Sequence, residues 1–185
     1  AVKYFMLKQT ERAESLFKEI FQQELEYVDD DKAHPYLEQI YLHLAIMHQS
    51  LKQSNSAMVM WKCLLKVHKH QFSFSLTGSQ SQRSGKSSGR ERSVDCFNSY
   101  ISKDYYNIGK CYLQLEDRDK ALYNFEMSQL ASQGYLRCLG ELEGQEAQYP
   151  HSYFEEEIQR HKRFEQNTLK QTLEAIEEIK YPYLK

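Results

Sequence analysis

Apolar residues recur at intervals of three and four through most of the chain, a spacing that predicts amphipathic helices rather than strands. Tyr4 and Leu7 mark the end of one helix within residues 1–8, and the pattern opens in mid-helix, so more chain is expected before residue 1. Thr10 is suited to cap a second helix over about 11–27, whose inward positions are Ala13, Leu16, Phe17, Ile20, Phe21 and Leu25. An acidic break at Asp29–Asp31 follows. Pro35 then stands in the first turn of a third helix, where its missing N–H costs nothing. Leu37, Ile40, Tyr41, Leu44, Ala45 and His48 form its inward face. Ser54 or Asn55 is expected to cap a fourth, with Ala57, Met60, Trp61, Leu64, Leu65 and Val67 inward.

The pattern stops at Ser73. From Ser75 to Ser93 the chain is mostly Ser, Gly, Gln and Arg, too poor in apolar surface to offset the entropy of ordering. Residues 72–97 are therefore expected to form a disordered insertion. Helical pattern returns near Phe97–Ile101 and continues through a well-marked hairpin, Lys103 to Gln129, with a tight turn at Glu116–Asp117. One face of its first helix carries Tyr105, Ile108, Gly109 and Tyr112. The second helix carries Ala121, Phe125 and Ser128. Gly134 is expected to end that helix, and a short, weak helix is expected over 135–149, interrupted by Gly140 and Gly144. A long last helix is predicted over 152–180 on a narrow stripe of Ile158, Phe164, Leu169, Leu173, Ile176 and Ile179, stopped by Pro182.

Composition adds three exclusions. A net charge of −2 argues against a general nucleic-acid or membrane-surface binder. No apolar run approaches the roughly 20 residues that span a bilayer. Cys63, Cys96, Cys111 and Cys138 lie far apart without a C-x-x-C pair, so reduced thiols are expected rather than a zinc site or a disulfide framework.

The hairpins repeat one another. Tyr105, Ile108, Gly109, Tyr112, Ala121, Phe125 and Ser128 correspond in spacing to Tyr41, Leu44, Ala45, His48, Ala57, Trp61 and Leu64. Ala1, Tyr4, Ala13, Phe17 and Ile20 fall at the same intervals. The small residues let paired helices approach closely, and the aromatics fill the space between one hairpin and the next. This pattern resembles the tetratricopeptide repeat (TPR) family. The match departs from that family in two ways. The family's closing Pro is replaced by Lys69 and Gln133. The spacing from Ala13 to Ala57 is 44 positions and from Ala57 to Ala121 is 64, against the usual ~34, which puts insertions between the repeats.

The resemblance implies an all-α, TPR-type α-solenoid of helical hairpins with a long C-terminal capping helix. Its parts would be TPR-like repeats over 1–71 (the first partial), the insertion at 72–97, a TPR repeat over 98–133 and a helical cap over 134–185. It also implies a concave groove that holds a peptide or helix of a partner protein. Carried onto this chain, the groove would take Val2, Phe5 and Met6 from the first repeat. The second would contribute Gln39, Leu42, His43, Ile46 and Gln49, and the third Lys103, Tyr106, Asn107, Lys110 and Leu113. Such a mixed groove would suit an apolar helix with some acidic residues, and the chain's own last helix is an alternative occupant. One TPR subclass clamps chaperone carboxylates. Lys103 matches one clamp position, but His43 and Asn107 stand where others would be needed, so chaperone tails are not expected.

Other candidates carry less. Ser84-Gly85-Lys86-Ser87 is not a phosphate loop, because Gln80 occupies the position of the first glycine and no strand precedes it. His68 and His70 are expected as a surface pair, without metal. Arg83, Lys86, Arg90 and Arg92 make the insertion basic, suited either to an inert linker or to an acidic surface, and Ser87, Ser88 and Ser93 could be phosphorylated there. No catalytic arrangement can be assembled. The expectation is a non-enzymatic scaffold or adaptor subunit of a multi-subunit complex, with no cofactor. By resemblance it would be cytoplasmic, in ciliary, cytoskeletal or trafficking assemblies among others. The other function considered is an RNA-binding helical-repeat protein, which would need a basic concave face; only Lys103 and Lys110 qualify.

Overall fold

The computed structural model describes residues 9, 11–13, 15, 16, 19, 35–78, 99–146 and 152–183. Five helices have continuous bounds: α1 (Pro35–Ser50), α2 (Ser54–Gly78), α3 (Ser99–Gln114), α4 (Arg118–Glu146) and α5 (Ser152–Lys180). Residues 11–13, 15, 16 and 19 are helical ahead of them, and the described residues contain no strand. Each helix packs on the next in sequence, and α5 reaches back onto α3 as well as α4. The chain is therefore all-α, its helices stacked as adjacent pairs.

Small residues set the pairings. Ala45 and Ala57 are fully buried where α1 meets α2. Together with Trp61, Leu64 and Leu65 they join Ile101, Tyr105, Ile108 and Cys111 of α3 in the largest apolar cluster. Ala13 packs with Ile40, Leu44 and Met47 in a second cluster. Ala121 and Phe125 of α4 form a third with Ile176 of α5. At Gly109 the α3 backbone comes so close to α4 that an added Cβ would lie 2.8 Å from Phe125 Cε1.

The two complete hairpins close with the same turn. Gln53 N donates to His48 O (2.8 Å), and Asp117 N donates to Tyr112 O (3.0 Å), each spanning five residues. Between them stand Lys52 (φ 58°) and Glu116 (φ 62°), both left-handed. This is the turn by which helix ends satisfy their last carbonyls, here built without glycine. Asp117 then caps α4, accepting from Lys120 N at 3.2 Å. Ser54 does not cap α2 as expected. It is the first helical residue, and its hydroxyl reaches across to Gln114 Oε1 at 2.8 Å, tying one hairpin to the next.

Two boundaries differ from expectation. α2 runs to Gly78, past the change of composition at Ser73, because no Gly or Pro interrupts residues 54–77. Residues 79–98, with the basic segment, lie outside the described residues. α4 does not end at Gly134. It continues unbroken through Gly134 and Gly140 to Glu146, so the expected short helix over 135–149 is its extension. Its buried positions continue at helical spacing through Ala131, Ser132, Cys138 and Leu139. That packing outweighs roughly 1 kcal/mol for each interior glycine.

The stripe expected on α5 is also corrected. Phe164 and Leu173 are exposed, whereas Glu165, Thr168 and Thr172 are buried with Ile158 and Ile176. The reason lies on the facing helices. Ser102 donates to both Glu165 oxygens (2.7 and 2.9 Å), and Ser132 donates to Oε2 (3.0 Å). Ser128 donates to the Ser102 carbonyl and lies 3.1 Å from the Thr172 hydroxyl. A buried carboxylate is tolerated where hydroxyls take its lone pairs. Burial pushes the Glu165 pKa upward, and the two serines and Lys103 oppose that shift.

Candidate functional site

α1 and α3 are the first helices of successive hairpins, and a groove of about 500 Å³ opens between them. α1 presents Glu38, Gln39, Leu42, Ile46 and Gln49, a stripe at helical spacing. α3 presents Tyr100, Lys103, Asp104 and Asn107. Trp61, Leu64 and His68 of α2 form the floor, and Phe164 of α5 stands at the rim. Ile46 and Phe164 are 42% and 39% exposed, so the rim offers apolar surface to whatever enters.

One end of the groove is held by a charged contact joining three helices. His68 Nδ1 donates to Asp104 Oδ2 at 2.6 Å, and His68 Nε2 lies 3.4 Å from Glu38 Oε1. His68 and Asp104 are 3% and 2% exposed. Burial alone would lower the His68 pKa. The hydrogen bond and charge of Asp104, with Glu38 adding to them, outweigh it, and the pKa is raised. Burial pushes the Asp104 pKa up to about 6 against the opposing pull of His68. Tyr100 stacks on the imidazole, ring centroids 5.2 Å apart. His68 is therefore a buried interhelical partner and not half of a surface pair. Among the described residues, Trp61 Nε1, Gln49 Nε2 and His68 Nε2 are buried without a hydrogen-bond partner.

Of the groove residues expected from sequence, Gln39, Leu42, Ile46, Lys103 and Asn107 line this one cavity, and so does Gln49. His43 stands apart from the lining, its Nδ1 bonded at 2.6 Å to the Gln39 carbonyl. Tyr106, Lys110 and Leu113 lie elsewhere, toward α5. Tyr106 and Leu113 pack with the Phe125–Ile176 cluster. Lys103 Nζ donates to Gln171 Oε1 at 3.1 Å, and both Lys103 and Lys110 hold their ammonium groups over the Tyr106 ring. Burial, then Glu174 and Glu178 of α5, push the Tyr106 hydroxyl pKa upward. The chain's own last helix thus covers Tyr106 and Leu113 of the third hairpin's share, while Lys103 and Asn107 stay on the open groove. Val2, Phe5 and Met6 lie outside the described residues.

Sequence reasoning left out Glu38, Trp61, Leu64, His68, Tyr100, Asp104 and Phe164 as groove residues. Trp61 and His68 could have been placed together, since seven residues on a helix return to the same face. Among the described residues, no cluster of His, Cys, Asp and Glu is placed to hold a metal, and no helix is long and apolar enough to cross a membrane.

The fold and groove define a class, an all-α chain of sequentially stacked helices with an open interhelical cleft. Compared with known proteins, it matches no family model, no curated protein and no solved structure.

Proposed function

We propose that this chain is a non-catalytic scaffold or adaptor of TPR type, which docks a segment of a partner protein in the groove between α1 and α3. The observation that carries it is the cleft itself: about 500 Å³, walled by equivalent helices of successive hairpins and rimmed by exposed Ile46 and Phe164. The repeated turn at Lys52 and Glu116 and the alanines buried at equivalent positions support the TPR assignment. The part it plays is that of a subunit in a larger assembly. The resemblance suggests a cytoplasmic setting, with ciliary, cytoskeletal and trafficking complexes as candidates.

Affinity capture with crosslinking mass spectrometry tests this, comparing the intact chain with Ile46→Asp and with Tyr123→Asp. Tyr123 is also exposed, but it sits on α4 and does not line the groove. A partner should be lost from Ile46→Asp and kept by Tyr123→Asp, with its crosslinks falling on the groove side of α1 and α3. An unchanged partner set in Ile46→Asp would refute docking in the groove.

A further inference from the structure

The net charge of −2 conceals a local excess of the opposite sign. α2 contains no Asp or Glu, and α1, α2 and α3 together set five lysines against two carboxylates, Glu38 and Asp104. Both carboxylates are turned to His68 at the end of the groove. Three of the lysines fall on one side of α2 at helical spacing. Lys62, Lys66 and Lys69 are all exposed, and none of them lines the groove. Val59, 48% exposed, extends the row three residues before Lys62. Among the described residues, no carboxylate pairs with Lys62 or Lys66.

Phenols hold the row in place. Lys62 Nζ donates to Tyr112 Oη at 2.8 Å, and Lys69 Nζ donates to Tyr105 Oη at 2.7 Å. The two tyrosines stand seven residues apart on α3, as the two lysines do on α2. The contacts are thus two rungs between antiparallel helices, about 10.5 Å apart at the helical rise. The Lys120 ammonium, 5.6 Å from the Tyr112 ring centre, adds a cation beside the first rung. A phenol takes one of an ammonium's three N–H donors and cancels no charge. The rungs therefore restrict two long side chains before any partner arrives, which lowers the ordering cost of binding.

We infer that this side of α2 docks an acidic helix of a partner protein, its carboxylates set against Lys62, Lys66 and Lys69 and an apolar side chain against Val59. The surface is separate from the groove and does not depend on what the groove takes. Charge complementarity fixes the partner's sign. Spacing selects a helix, because carboxylates three and four residues apart on a facing helix rise in the same steps as the lysines. The aromatic rings select protein over single-stranded nucleic acid. Tyr105 is buried and Tyr112 half-buried, each with a lysine ammonium about 5 Å from its centre, so neither ring is open for a base to stack on.

The test titrates the full chain into three fluorescein-labelled probes and follows anisotropy. The first is an alanine-based helical peptide with glutamates spaced four and three residues apart. The second is its twin with glutamines, and the third is a uridylate oligomer carrying as many charges as the first. The glutamate peptide should bind at low salt and weaken as salt is raised, since exposed charges are screened; the glutamine twin should not bind. Lys62→Gln/Lys66→Gln should weaken the glutamate peptide by about tenfold, the worth of two exposed ion pairs. Lys170→Gln/Lys180→Gln removes the same charge from exposed positions of α5 and should leave binding unchanged. A glutamate peptide that binds Lys62→Gln/Lys66→Gln as well as the wild type, or is weakened equally by both double variants, would overturn the inference. Tighter binding of the uridylate oligomer would overturn it by making the row a phosphate surface. Absence of saturable binding by the glutamate peptide at low salt also overturns it, and groove docking is then still read separately from the Ile46→Asp capture.

Discussion

Replacing Gly109 with Ala isolates the close approach of α3 and α4. The new Cβ would meet Phe125 at 2.8, 2.9 and 3.1 Å from Cε1, Cδ1 and Cζ. Carbon atoms in contact rest at about 3.5–4.0 Å, so the ring must retreat by roughly 0.7 Å. It has little room. Phe125 is fully buried, packed with Ala121 and Ile176 and with the Tyr106 ring centred 5.7 Å away. Overpacking of this kind costs about 1–3 kcal/mol. Against it stands the gain of about 1 kcal/mol when Ala replaces Gly inside a helix. The net expectation is a loss of about 0–2 kcal/mol, or up to roughly 8 °C in Tm for a chain of this size. Gly140 supplies the control. It lies inside α4 with nothing within 4 Å of an added Cβ, so Gly140→Ala should gain about 1 kcal/mol. Urea denaturation followed by circular dichroism measures both, and the gap between them is the overpacking cost. Phe125→Leu in the Gly109→Ala background should recover part of it, as a coupling above about 0.5 kcal/mol in the double-mutant cycle. If Gly109→Ala stabilises as much as Gly140→Ala, the two helices do not meet there and the reason for a glycine disappears.

Three further outcomes follow from named contacts. Lys52→Gly and Glu116→Gly should each stabilise by about 0.5–1 kcal/mol. The left-handed conformation costs a side-chain-bearing residue about 1–2 kcal/mol, and part of that is returned through the freer unfolded glycine; a loss in denaturant midpoint would contradict the turn. Glu165 has a folded pKa raised above its ordinary 4.5, so its contribution is fully present below that value and is lost as pH rises through the folded pKa. Glu165→Gln should therefore gain on the wild type between pH 4 and pH 7, and parallel pH–stability curves would refute the buried carboxylate. Asp104 and His68 shift in the same direction. The folded chain holds the Asp104 proton to about pH 6 and the His68 proton above the ordinary 6.5, so stability falls with rising pH across both windows. An Asp104→Asn/His68→Gln chain should flatten that fall in thermal melts from pH 4 to pH 8, and an unchanged slope would assign it to other groups.

Helices and their pairing were legible because apolar spacing records them directly. Tyr105, Ile108, Ala121 and Phe125 are buried where the pattern puts them. What spacing could not record was polar burial. His68 occupies a buried face of α2, but it reads as a core residue only once Asp104 is known to lie opposite, and that pairing joins residues 36 positions apart. On α5 the apolar residues suggested a stripe through Phe164 and Leu173. The buried line passes instead through Glu165, Thr168 and Thr172, because Ser102, Ser128 and Ser132 form the surface that receives them. The groove had the same fate. Leu42, Ile46, Lys103 and Asn107 could be placed on one side from the pattern, yet nothing in it said that α5 would cover Tyr106 and Leu113 and leave the α1 side open.

The polar seam explains how that division is kept. An apolar stripe on α5 could slide by one turn along α3 and α4 and still bury similar surface. Glu165 cannot slide: about 5.4 Å away it would lose both serines and leave a buried carboxylate unmet, a penalty of several kcal/mol. Thr172 against Ser128 restricts the same register from one helical stretch further on. The register so fixed puts Phe164, the residue before Glu165, at the rim of the open groove. It also lays Ile176 over Phe125 beside Tyr106, closing the third hairpin's face. One set of buried hydroxyls therefore decides both which part of the expected surface the chain covers for itself and which aromatic residue it leaves at the rim of the open groove.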